Sequence, residues 1–303
     1  MYQSCPLCDH SETYFAFSAK DYEHRVPGEW SVAECKACGF LFQDPIPSEK
    51  QIPSFYPPSY SAYGSKSPIR LLFEFVYFVD GLRAKALVKG SGRVLDIGCG
   101  DGSALEKLRG DGDWTLHGVE FDPVAAQRAR DRGLDVVTGS LESASFPDNY
   151  FDLVRMGHVI EHVRDPAAVA REVFRILKPG GHFVGETPNV DCLDFRIFRK
   201  YWGALHIPRH LTFFSRQNLA DLLKRTGFTQ ISLQPRLRTV GWSCGIQNYL
   251  ADRYSLTVPP SGRVSWYLLL ILLFLPFTAI QSLWGATASI AFVSRKSIEG
   301  NSL

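Results

Sequence analysis

A charge excess of either sign is missing from this sequence. Its 303 residues carry 33 Lys and Arg against 31 Asp and Glu, a net charge of +2. Nucleic-acid binding driven by bulk charge is therefore disfavoured, since phosphate contacts require clustered cations. Methionine is nearly absent, at 2 residues, which excludes a Met-rich adaptable surface. The 7 cysteines are too few to staple a chain of this length with disulfides. No internal repeat is visible. The first residues, MYQSCPLCDH, hold neither a basic nor an apolar leader segment, so no secretory signal is expected and a reducing, cytoplasmic setting is the default. What is there is ordinary globular material, 45% apolar and 13% aromatic, in a length that suits about two domains.

Four of the cysteines come in pairs. Cys5-x2-Cys8 and Cys35-x2-Cys38 are separated by 26 residues. Two such knuckles supply the four thiolates that Zn2+ takes in tetrahedral sites, and Gly39 suits the turn after the second pair. A closed four-sulfur site is structural, so no catalysis is expected from this metal. A redox pair would want a thioredoxin-like βαβ context, which is missing here. Residues 1–45 are read as a zinc-ribbon-like module. Residues 46–91 are a Pro- and Tyr-rich connector followed by an apolar helix over 69–89.

From residue 92 the pattern becomes alternating strands and helices, which predicts a parallel sheet covered on both faces. GRVLDIG, TLHGVE, DVVTG, FDLVRMG, HFVGETP and FTQISLQPRL read as successive strands. Asp122-Pro123 and Asp165-Pro166 start helices as N-cap and first helical residue, the second running to Lys178. Ser215 caps another, ended by Gly227.

Asp96-Ile97-Gly98-Cys99-Gly100-Asp101-Gly102 links the first strand of this series to a helix, where open α/β sheets bind ligands. The glycines let a ligand approach the backbone. A dinucleotide site would read G-x-G-x-x-G, whereas here the glycines fall as G-x-G-x-G. A fixed carboxylate at Asp96 would repel a pyrophosphate and suits a cationic amine. S-adenosylmethionine carries a carboxylate, an ammonium and a sulfonium in one molecule. Glu120 ends the next strand, placed to accept hydrogen bonds from ribose hydroxyls.

VLDIGCGDG, HGVEFDP, FPDNYFDLVRMGHVIEHVRDP and ILKPGGHFVGETPN together resemble the successive motifs of the class I S-adenosylmethionine-dependent methyltransferases. The likeness covers residues 92–190 closely and 205–235 more loosely. It implies an α/β, Rossmann-like seven-stranded sheet of order 3-2-1-4-5-7-6, with the seventh strand antiparallel. By resemblance, Asp96, Gly98, Cys99 and Gly100 line the methionine end of the cofactor. Glu120 holds the ribose, Phe121 lies against the adenine, and Ser140, Leu141 and Glu142 meet its edge. Many members carry Asp where this chain has Ser140. Met156, Gly157 and His158 fall near the sulfonium. A Cys-rich head before such a core resembles methyltransferases of sugar, glycan and natural-product pathways, and also ribosomal-RNA guanine methyltransferases. Cys38-Gly39-Phe40, Glu161-His162-Val163 and Pro208-Arg209-His210 look more like the first group.

Methylating a hydroxyl calls for positioning and often for a base near neutrality, usually His. His158 and His162 follow the fourth strand, and His206 and His210 lie in the loop after the fifth. His210 and His162 are the candidate bases, with Glu161 a structural partner. Arg196, Arg199, Lys200 and Arg209 make that loop basic, suited to an acidic or phosphorylated acceptor. The apolar run WYLLLILLFLPFTAIQSLW has the length of a membrane span. If Ser289–Ser294 is the seventh strand, both ends of the run lie on one side of any bilayer, so a single crossing is excluded. Residues 240–285 then form an insertion in the 92–303 domain. It is a helical hairpin broken at Pro276, a helix lying in one leaflet, or a buried or dimer-forming pair. Arg263, Arg295 and Lys296 at its ends fit the cytoplasmic face of a membrane. The expected activity is methyl transfer to oxygen on a glycan, lipid-linked or other small-molecule acceptor. A ribosomal-RNA methyltransferase, or a non-catalytic zinc- and membrane-binding protein with a degenerate pocket, is the alternative.

Overall fold

The computed structural model describes residues 4–56, 90–110, 112–259 and 263–298. The helix expected over 69–89 lies outside the described residues. The strands are β1 (Thr13–Ala19), β2 (Trp30–Cys35), β3 (Leu41–Gln43), β4 (Ser91–Ile97), β5 (Asp113–Glu120), β6 (Asp135–Thr138), β7 (Phe151–Gly157), β8 (Leu177–Pro188), β9 (Thr212–Phe213), β10 (Phe228–Arg236) and β11 (Ser289–Lys296). The helices are α1 (Ser103–Glu106), α2 (Pro123–Asp131), α3 (Pro166–Ile176), α4 (Leu193–Phe198), α5 (Arg216–Thr226), α6 (Val240–Tyr254) and α7 (Tyr267–Ser282).

Seven strands form one sheet in the order β10-β11-β8-β7-β4-β5-β6. Counted from β4 as the first, this is the 3-2-1-4-5-7-6 order. β11 runs antiparallel to both β10 and β8, and the β4, β5, β6, β7 and β8 pairings are parallel. The central strands are sealed on both faces: Val94, Leu95, Val154 and Phe183 are fully buried. Such near-continuous apolar runs are what a helix-covered parallel sheet requires.

Local capping chemistry sets the helices. Asp122 accepts from the Val124 N–H, Asp165 from Ala168 and Ser215 from Asn218. Gly227, at φ +101°, closes α5 in the left-handed conformation. α3 ends at Ile176, two residues before the expected Lys178, because Leu177 already pairs with Phe151 and opens β8. The Pro179-Gly180-Gly181 stretch is absorbed as an irregularity in the strand, Gly180 turning at φ +82°.

A second, antiparallel sheet has the order β1-β2-β3-β9. Its first three strands belong to the Cys-rich head, but β9 comes from the loop after β8. Leu41 pairs with Phe213 and Phe42 with Thr212. Cys5, Leu7, Phe40 and Phe42 pack into the same core as Leu95, Phe183 and Phe214. The head is therefore fused to the larger sheet by hydrogen bonds and by a shared apolar core.

The insertion between β10 and β11 is the α6/α7 pair. α7 continues through Pro276 instead of breaking there. No helix among the described residues is long and apolar enough to cross a membrane. The cations at the ends of the insertion are engaged elsewhere. Arg263 pairs with Glu23 at 2.6 Å and lies over the Tyr267 ring. Arg295 donates to the Gly180 carbonyl, and Lys296 to the carbonyls of Phe174 and Leu177. They carry structural roles that their position beside an apolar run does not reveal.

Candidate active site

The two Cys knuckles converge. Cys5 Sγ lies 3.7 Å from Cys38 Sγ and Cys8 Sγ 3.6 Å from Cys35 Sγ. Sulfurs at about 2.3 Å from a tetrahedral zinc stand about 3.8 Å from one another, so the donor set fits Zn2+. The Leu7 N–H points at Cys5 Sγ at 3.4 Å, and the Gly39 N–H closes the second turn on the Cys35 carbonyl at 2.9 Å. Burial raises the pKa of the Cys5 and Cys38 thiols, and a bound cation supplies the charge that four packed thiolates need.

The glycine turn follows β4. Gly98 has φ +70°, and a Cβ there would stand 2.4 Å from Val159 Cγ2. That contact requires glycine and lays the loop after β7, with its histidines, directly on the turn. Glu120 holds the turn from the other side. Its Oε2 accepts from the Gly100 N–H at 2.8 Å and its Oε1 from the Asp122 N–H at 2.9 Å. Asp96 is 6% exposed, and its nearest cation is Arg155, 3.9 Å away. Burial raises the Asp96 pKa and Arg155 only partly offsets it. Arg155 Nη1 is itself buried and makes no hydrogen bond among the described residues. A buried carboxylate beside a partly exposed guanidinium, whose one buried nitrogen lacks a hydrogen bond among the described residues, would suit the ammonium and carboxylate of a methionine moiety.

The histidines gather beside this turn. His158, with φ +56°, ends β7 and sets its imidazole 3.3 Å from Glu161 and 3.3 Å from Glu186. Burial opposes its charge, but the two carboxylates outweigh that and raise its pKa to about 10. The two carboxylates favour the imidazolium form of His158. His162 donates from Nδ1 to the Arg209 carbonyl at 3.0 Å, and His210 from Nδ1 to the Ala204 carbonyl at 3.0 Å. Their rings meet edge to face at 4.6 Å. Burial, against the pull of Glu161, takes His162 down to about 4. Burial and the neighbouring imidazoles push His210 well below its usual value. Both are neutral hydrogen-bond acceptors, weaker bases than sequence reasoning expects, because that reasoning had no measure of their burial.

The structure brings Asp96, Gly98, Gly100, Glu120 and His158 to one end of the sheet. Phe121 is 68% exposed beside Glu120, free to cover a base. Ser140 is exposed and bonds within its own turn to Ser143. Three candidates turn their side chains inward: Met156 is 0% and Leu141 3% exposed, and Cys99 packs on Gly118 of β5, leaving only main chain toward the site. Arg209 is not part of a basic acceptor surface. It is buried, with two nitrogens on Asp21 at 2.9 Å each. Arg196, Arg199 and Lys200 are exposed. Sequence reasoning missed Arg155, a lone cation in an apolar strand, and the Asp21, Glu23 and Arg263 network. Those charges lie far apart in the chain, and their pairing has no local signature.

A family model described as a methyltransferase domain matches residues 74–233, just over half of the chain. A probable S-adenosylmethionine-dependent methyltransferase of Mycolicibacterium smegmatis is 40% identical over 138 residues, 45% of this chain and 51% of that protein. A ubiquinone biosynthesis O-methyltransferase of Yersinia enterocolitica is 34% identical over 128 residues, 39% of this chain and 53% of its own length. The match thus spans about half the length of each of these two relatives. Among solved structures, a putative methyltransferase from Haloferax volcanii, in complex with the Trm112 activator, superimposes with a TM-score of 0.52 at 17% identity. That superposition covers 76% of this chain and 93% of that one, and it supports the fold. With the sheet order, the glycine turn and the family match in agreement, the chain belongs to the methyltransferase-domain family, with the fold of the class I S-adenosylmethionine-dependent methyltransferases.

Proposed function

We propose that this protein transfers the methyl group of S-adenosylmethionine to an oxygen of a small, largely apolar acceptor. The observation that carries the reading is the underpaired Asp96–Arg155 couple beside the glycine turn. Asp96 would take the ammonium, Arg155 the carboxylate and Glu120 the ribose, with Phe121 over the adenine. When bound, the cofactor supplies an electrophilic methyl on a sulfonium. The chain's own part is orientation. Nε2 of His162 and of His210, left with its lone pair by the Nδ1 bond to a carbonyl, accepts from the acceptor hydroxyl. The His158 imidazolium fixes Glu161 and Glu186 in place. The Cys-rich head, with zinc on Cys5, Cys8, Cys35 and Cys38, acts by position: Gln43 donates to the carbonyls of Pro208 and His210 at 2.8 and 2.6 Å.

The names of several relatives point to quinone-type acceptors, among them a demethylmenaquinone methyltransferase of Anoxybacillus flavithermus, 28% identical over 170 residues. The α7 face agrees with an apolar acceptor delivered at a lipid surface on the cytoplasmic side: Leu269, Leu273, Phe277 and Trp284 are each more than half exposed. A glycan acceptor has no comparable support. The test is calorimetry with S-adenosylmethionine, followed by transfer of labelled methyl to a panel of phenols, catechols and glycosides. Binding with label on phenolic oxygen is the expected result. Absence of cofactor binding would leave only a scaffold, and label on a glycoside would overturn the acceptor class.

A further inference from the structure

Glu161, His162 and His210 form a second cluster with the composition of a metal site. One ligand atom from each lies within 4.8 Å of the others. His210 Nε2 stands 3.9 Å from Glu161 Oε1, too far for a hydrogen bond and within the reach of two ligands on one ion after a small rotation. The Ala204 carbonyl only accepts and so assigns the His210 proton to Nδ1. At His162, Nδ1 lies 3.0 Å from the Arg209 carbonyl and 3.2 Å from Tyr56 Oη, and the shorter contact, to a pure acceptor, favours the proton on Nδ1 there as well, with the Tyr56 hydroxyl as its second acceptor. Each Nε2 is then unprotonated. Nδ1–H on a backbone carbonyl with Nε2 free is how proteins hold a metal-ligating histidine. Glu161 is held likewise: Thr187 Oγ1 donates to its Oε2 at 3.0 Å and leaves Oε1 toward His210. Two imidazoles and one carboxylate are the ligand set of divalent-metal sites that keep a position for substrate.

We propose that Glu161, His162 and His210 bind a divalent transition-metal ion of the zinc class, distinct from the four-cysteine site, at the acceptor side of the glycine turn. The role of the ion rests on the methyltransferase reading: bound on the two Nε2 lone pairs, it replaces their direct contact with the acceptor hydroxyl, holds the acceptor oxygen itself and favours loss of its proton to solvent. That oxygen then takes the methyl carbon, the carbon–sulfur bond breaks toward sulfur, and S-adenosylhomocysteine leaves.

The experiment loads the full chain with zinc at the cysteines and titrates it with Co2+. The expected result is one further Co2+ per chain with weak visible d–d absorption and no thiolate charge-transfer band. Glu161→Gln and His210→Gln should each lower the Co2+ affinity at least ~100-fold, with the zinc content of the cysteine site and the circular dichroism unchanged. A single metal ion per chain in the unaltered protein overturns the proposal. So does a second ion that survives both substitutions, or that brings a thiolate band. Calorimetry with S-adenosylmethionine on the same samples reports separately on the methyltransferase reading. Cofactor binding without the second ion defeats this site alone, and the second ion without cofactor binding defeats the enzyme reading alone.

Discussion

In the proposed function, Asp96 is the side chain on which cofactor binding turns. Its carboxylate is buried, its pKa is raised by that burial, and its one nearby cation stands at 3.9 Å. An ammonium group of the cofactor would complete it. Asp96→Ala should therefore weaken S-adenosylmethionine binding about 10-fold or more, the worth of one charge-assisted hydrogen bond, read by calorimetry. The same residue sets a pH dependence. A raised carboxylate pKa means that the proton returns above the ordinary value near 4. Only the ionised form attracts the ammonium, so affinity falls as the pH is lowered through the raised value, earlier than for an ordinary aspartate. Asp96→Asn should bind weakly and show no such slope. A slope unchanged in that variant would assign the titration to another group. For stability the sign is opposite: the buried charge costs most at neutral pH, and acidification relieves it.

At the scale of elements, the loop between β8 and α5 carries His210 and the Arg209 carbonyl that meets His162, and the Cys-rich head holds that loop. Arg209 is fully buried on Asp21, which also receives the main-chain N–H groups of Glu23, His24 and Val26. The Phe55 carbonyl takes a further bond from Arg209 at 3.0 Å. Removing one partner of such a pair strands the other charge in the interior. Asp21→Ala should cost about 3–5 kcal/mol in denaturant unfolding and raise KM for the acceptor more than Kd for the cofactor. A cost near that of a surface pair, below about 1 kcal/mol, would show the pair to be solvated in solution.

At the scale of the whole molecule, the outer face of α7 is an apolar surface that no element among the described residues covers. Leu269, Leu273 and Phe277 are 65%, 59% and 57% exposed, and Leu283 and Trp284 extend the patch to 78% and 75%. An apolar area of this extent needs a partner. Burying one such side chain contributes about 1.5–3 kcal/mol. If lipid is the partner, Leu273→Glu with Phe277→Glu should weaken flotation with anionic vesicles by roughly 100-fold or more while leaving cofactor affinity intact. Equal flotation of the two forms would remove the lipid-surface element from the proposed function.

Much of the fold and part of the site are legible in the residues alone. The strand–helix alternation, the Asp-Pro and Ser caps and the glycine turn are local patterns, and local patterns determine backbone conformation. From them follow the parallel sheet and the positions of Asp96, Gly98 and Glu120, while the seven-stranded order followed from the resemblance to the class I methyltransferases. The C-x2-C spacing likewise determines a four-sulfur cluster, because each knuckle is a short-range turn. Tertiary structure alone decided the rest. It turned Met156 and Leu141 inward, sent Arg209 to Asp21 and Arg263 to Glu23, ran α7 through Pro276, and brought His162 and His210 together beside Glu161. Each of these outcomes depends on burial or on partners up to 240 positions apart, as in Arg263 with Glu23. Desolvation and ion pairing act across space, and no window of sequence records them.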